Sequence, residues 1–100
     1  MPVIPPEVYS RFEEEWAKEE KKLVKLGYPR PLIRKAKEYA LGVLGGLPVK
    51  LYTEAPPEFK KKALEYAIDN VMRFTEQWVG GIYSVFAPIE KLREVLTIPS

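Results

Sequence analysis

Residues 56–86, PPEFKKKALEYAIDNVMRFTEQWVGGIYSVF, decide the fold. They make the longest segment readable as helix, and its apolar surface is too wide for one seam. At about 100° per residue, Phe59, Ala63, Tyr66, Ala67, Val71, Phe74 and Trp78 fall on one face. Ile68, Met72, Val79 and Phe86 fall on a second face beside it. Only Lys62, Glu65, Asp69, Arg73 and Glu76 form a plainly polar strip. A surface helix carries one apolar stripe, whereas a helix apolar over most of its circumference packs on several sides. The segment is therefore expected to be a central helix, with the rest of the chain packed around it.

Prolines punctuate the remainder. Pro5-Pro6 opens a first helix in which Tyr9, Phe12, Trp16, Leu23 and Leu26 recur at helical spacing. Glutamates crowd its first half and lysines its second, an order that complements the helix dipole. Gly27 reads as the residue just past its end, with Pro29 beyond. Glu19 interrupts the apolar stripe between Trp16 and Leu23. A solvated edge residue is the expectation there, against a buried carboxylate paired with a cation such as Arg73.

A second helix starts at Pro31, with Leu32, Ile33, Ala36, Tyr39, Ala40, Val43, Leu44 and Leu47 inside and Arg34, Lys35, Lys37 and Glu38 outside. Gly42 within it suggests close backbone packing, because glycine otherwise only weakens a helix. Gly45-Gly46 ends it. Pro48 to Tyr52 alternates in character and reads as an extended linker. Gly80-Gly81 either ends the central helix or marks the close approach of another backbone. Ala87-Pro88 reads as a new start, and Ile89, Leu92, Val95 and Leu96 as a short amphipathic helix. The expected fold is all-α: one domain over residues 1–100, bundle-like, with four helices at about 6–26, 31–45, 57–79 and 88–96 around the central third.

Composition bounds the function. The chain has 100 residues, 30% of them charged, with a net charge of +2, no cysteine and no histidine. Disulfides and thiolate sites are excluded, and the commonest general base and metal ligand are absent. Thirteen glutamates face one aspartate, Asn and Gln occur once each, and Lys outnumbers Arg eleven to five. That bias, with proline in the loops, is hyperthermophile-like. No secretory leader is visible, so an intracellular, cytoplasmic protein is expected. The three serines lie in no nucleophile-elbow context, and no glycine-rich phosphate loop occurs. Without His, the Glu-x-x-His metal pattern of bundles cannot form. Neither an enzyme nor a cofactor or metal is expected.

Two surfaces remain. The first is the second apolar face of the central segment, with Ile68, Met72, Trp78, Val79, Tyr83 and Phe86 as the expected interface of a homodimer or a larger complex. This makes a non-enzymatic interaction or assembly protein the leading reading. The second is the basic stretch from residue 30 to residue 50, where five cations stand against Glu38 alone. Arg30, Arg34, Lys35 and Lys37 there would serve a small nucleic-acid-binding protein. The low total charge ranks this second.

Overall fold

Each of the first three helices opens with a proline in its first turn, where the missing N–H is one the helix leaves unpaired anyway. In the computed structural model α1 spans Pro6–Lys25, α2 Arg30–Leu44 and α3 Leu47–Glu54. A 3₁₀ turn at Pro57–Phe59 leads into α4, Lys60–Thr97. The backbone is described for residues 3–97 and side chains for residues 3–88. The fold is all-α, a four-helix bundle-like arrangement, and no strand occurs among the described residues.

The turn from α1 to α2 follows its sequence closely. Gly27 has φ +90°, a conformation that side-chain-bearing residues avoid. Its N–H donates to the Val24 carbonyl at 3.0 Å, and the Tyr28 N–H donates to the Leu23 carbonyl at 3.2 Å. That pair of bonds is a Schellman closure, which satisfies carbonyls the helix end leaves open. Tyr28, just past the turn, folds back against the core.

Two expected elements come out differently. Residues 48–52 are not an extended linker but the body of α3. Pro48 presets the first turn, and helical spacing puts Val49 and Tyr52 on the core side. Lys60 then closes the end of α3, its Nζ donating to the carbonyls of Tyr52 (2.9 Å) and Thr53 (3.1 Å) while lying over the Tyr52 ring. The Tyr52 hydroxyl donates to Glu7 at 2.9 Å, tying α3 to α1.

The expected helices at 57–79 and 88–96 are one helix. Gly80-Gly81 neither ends it nor receives another backbone; the Tyr28 hydroxyl lies over Gly80 instead. Pro88 sits inside α4. The carbonyl it leaves without a donor belongs to Ser84, and both residues are exposed, so water satisfies what the ring removes. The side chains of Ile89, Leu92, Val95 and Leu96 lie outside the described residues.

The core runs along α4. Val8, Phe12, Trp16 and Leu23 of α1, Ile33, Ala36, Ala40 and Leu44 of α2, and Val49 of α3 meet Ile68, Val71, Met72 and Val79 of α4. Thr75, fully buried among them, donates its hydroxyl to the Val71 carbonyl at 2.7 Å, so this hydroxyl does not go unpaired. Burying such side chains contributes about 1.5–3 kcal/mol each, against about 0–1 for an exposed ion pair. This seam, rather than the abundant surface charge, fixes the arrangement.

The bundle is elongated. At about 1.5 Å per residue, α4 alone measures about 57 Å, and the molecule extends 66 × 25 × 18 Å. Its radius of gyration is 17.0 Å, where a compact chain of this length has about 13 Å. Among the described residues the core seam on α4 closes at Val79, and the last packed aromatic is Tyr83, whose ring meets Tyr28 edge to face at 5.2 Å. Past it, Val85 and Phe86 stand exposed.

Candidate functional site

The two faces of α4 exchange part of the roles expected of them, while Ala67 and Val71 of the first face are buried as expected. Ile68, Met72 and Val79, expected as an interface, lie in the chain's own core. Phe59, Tyr66 and Phe74, expected in the core, are 52%, 67% and 52% exposed. The reason lies in side-chain size. Ala67, Val71 and Thr75 of α4 and Ala36 and Ala40 of α2 are all buried beside Ile68, Met72 and Val79, and small residues let two helices approach closely. The bulky aromatics are left on the far side. Trp78 is half-buried, stacked on Tyr39 with ring centroids 4.8 Å apart. Of the six expected interface residues only Tyr83 and Phe86 remain exposed.

The displaced aromatics build a groove. Its walls are α3, through Leu47, Pro48 and Leu51, the 3₁₀ turn, through Phe59, and the first half of α4, through Ala63, Tyr66 and Phe74. Its floor includes Gly42, Val43 and Gly46 from the end of α2. It encloses about 900 Å³ and is mostly apolar. Lys62 is the charged side chain on its lining, and Asn70 turns its amide back to donate to the Tyr66 carbonyl at 2.8 Å. Gly42 is not the close packing point expected of it: no atom lies within 4 Å of where its Cβ would be. The glycine instead keeps the floor open. Leu47, expected on the inner face of α2, is 65% exposed at the groove's edge. Sequence reading missed Leu47, Leu51, Phe59, Tyr66 and Phe74 as surface residues. The available signal was that α3 is a helix, which makes Leu47 and Leu51, four residues apart, adjacent on one face.

The other flank of α4 meets α1 in a polar cleft. Arg11 forks onto Glu65 with bonds of 2.9 and 3.0 Å and also reaches Glu15 at 2.7 Å. Lys22 donates to Glu76 at 2.6 Å. Glu19 is buried, not solvated as expected, and Arg73 is not its partner, pairing with Asp69 instead. The Glu76 carboxylate is its neighbour. Burial first, and then Glu76, push the Glu19 carboxyl up to about 7. The hydrogen bond from Glu19, and then Lys22, hold Glu76 below the ordinary carboxylate range.

The basic stretch does not form one open face. Lys35 pairs with Glu38 at 3.3 Å and Lys37 with Glu13 at 3.1 Å. Arg30 and Arg34 line a shallow hollow with Trp16 and Glu20 between α1 and α2, and among the described residues they form no ion pair. Among the described residues, too, no helix is long and apolar enough to cross a membrane, and no group of three or more acidic, His or Cys side chains is arranged to hold a metal ion. No family model matches the chain, and neither a curated protein nor a solved structure does. The class the geometry defines is an elongated all-α bundle with an apolar groove on one flank of its long helix and an ion-paired cleft on the other.

Proposed function

We propose that this chain is a non-enzymatic interaction protein that assembles with a second copy of itself through the groove between α3 and α4. The observation that carries the reading is the set of apolar side chains left around that groove, Leu47, Leu51, Phe59, Tyr66 and Phe74, interrupted by Lys62 and Asn70. Contiguous exposed apolar surface of this kind marks interaction sites, and aromatic residues dominate the centres of interfaces. A second copy is the partner because a closed twofold pair buries the same patch on both chains at once, and a net charge of only +2 opposes that pairing little. Val85 and Phe86, exposed further along α4, offer further apolar surface to the same contact.

Light scattering at high micromolar concentration tests it. Wild type is expected at twice the chain mass, and Phe74→Glu with Leu51→Glu at the mass of one chain with unchanged helix content. A monomeric wild type at that concentration refutes self-assembly.

The second reading, nucleic-acid binding through Arg30, Arg34, Lys35 and Lys37, keeps one supporting observation: Arg30 and Arg34 are exposed and unpaired among the described residues. A shift assay at low salt tests it, with Arg34→Glu as control. Phosphate contacts predict binding that weakens steeply with salt and varies little with sequence.

A further inference from the structure

We infer that Glu19 of α1 and Glu76 of α4 hold one proton between them, and that this shared proton clasps α1 to α4, tighter on the acid side of neutrality than above it. Glu19 lies in the apolar stripe of its helix, between Trp16 and Leu23, and is 7% exposed. Its Oε2 is sealed from solvent and meets no N–H or O–H donor. The Glu76 side chain lines the same cleft, across the contact between α1 and α4. Two ionised carboxylates in such a place repel one another, whereas a protonated Glu19 donates its O–H to an ionised Glu76 in a charge-assisted bond. Lys22 decides which partner keeps the charge, because its Nζ already donates to Glu76 at 2.6 Å.

The surrounding charges leave Glu19 no cation of its own. On α1, Glu15 is held by Arg11 and Lys18, and Lys22 is spent on Glu76. On α4, Glu65 takes the fork of Arg11, and Asp69 pairs with Arg73. From α2, Lys37 reaches Glu13, while Arg30 and Arg34 stand on the other side of α1 beside Glu20. Ile68 and Met72 complete the lining with apolar surface. A proton is what remains to neutralise the buried carboxyl.

The sign of the pH dependence follows. A carboxyl raised on folding contributes all its stability below its unfolded value near 4.5 and loses it as pH climbs through the folded value of about 7. Glu76, lowered on folding, acts in the opposite sense, and only in acid below 4.5. The chain has no histidine or cysteine, the side chains whose ordinary values fall between about pH 5.5 and 8.5.

Guanidinium unfolding of the full chain at about pH 5.5, 7 and 8.5 is the test. Wild type is expected to lose stability across this range, its folding constant falling by up to about tenfold per pH unit. Glu19→Gln, whose amide N–H donates to Glu76 at any pH, is expected to be flat with pH and more stable than wild type at pH 8.5. A flat wild type, or a variant that tracks the wild-type slope, overturns the proposal. A carbon-13 titration of the wild-type glutamate carboxyls serves if the variant does not fold. One glutamate titrating near neutrality supports the clasp, and all titrating in the ordinary acid range refutes it.

Discussion

At the scale of single residues, Met72 and Phe74 make opposite cases two positions apart. Met72 lies in the core with Ile68, Val71 and Val79, while Phe74 stands half out of the groove. Met72→Glu buries a charge beside a cleft whose cations Arg11, Lys22 and Arg73 are already paired, which costs several kcal/mol, and is expected to abolish or sharply lower the cooperative melt followed by circular dichroism. Phe74→Glu is expected to change the melt by less than about 1 kcal/mol in the monomer, since surface substitutions are mild. Equal damage from both would show that the groove face is core as well. Periodicity made both faces legible but could not rank them, because each is apolar. The ranking lay in residue size: Ala36 and Ala40 of α2 and Ala67 and Thr75 of α4 are all buried, and small residues let helices pack closely where bulky aromatics would hold them apart. Glu19 was misjudged for a related reason. Its position inside the stripe was plain, but a buried carboxylate needs a partner, and sequence suggested a cation where the fold supplies Glu76.

At the scale of elements, turns written in glycine and proline were legible and the identity of short segments was not. Gly27 ends α1 where its sequence places it, because only a left-handed residue completes that closure. Gly27→Ala is therefore expected to destabilise the chain by about 1 kcal/mol, read as a shift in guanidinium midpoint with unchanged slope. α3, at eight residues, is too short to hold as an isolated helix; it is stabilised by contacts distant in sequence, which a local pattern does not show. Lys60 supplies much of that support through its two carbonyl bonds and the Tyr52 ring. Lys60→Ala is expected to cost about 1–2 kcal/mol and to speed amide exchange in α3 more than in α2. Uniform acceleration in both would place the role of Lys60 elsewhere. Pro88 misled in the other direction: a helix break is the usual meaning of an interior proline, and α4 carries one on an exposed stretch where the lost bond matters least.

At the scale of the whole molecule, stability and assembly are expected to be linked. The ion pairs that join α1 to α4, Arg11 with Glu65 and Lys22 with Glu76, and the pair that joins α1 to α2, Lys37 with Glu13, cross between helices rather than run along one. Such networks contribute more as temperature rises, because the hydration that charges give up becomes less favourable. With the Lys/Glu-rich composition, a midpoint above about 80 °C is expected, well over the mesophile range; a reversible melt near 55 °C would remove the hyperthermophile reading. Assembly adds its own signature. A partner that binds only the folded chain stabilises it by mass action, so the midpoint of a dimer rises with protein concentration. Wild type is expected to show that rise over a hundredfold dilution series, and Phe74→Glu with Leu51→Glu to lose it while keeping the ion-pair network intact. High salt separates the two contributions: it screens the exposed charges and lowers the midpoint of both proteins alike, but leaves the concentration dependence of wild type in place, because the groove that drives it is apolar. A midpoint independent of concentration in wild type would leave the groove without a second copy in it, whatever the melting temperature proves to be.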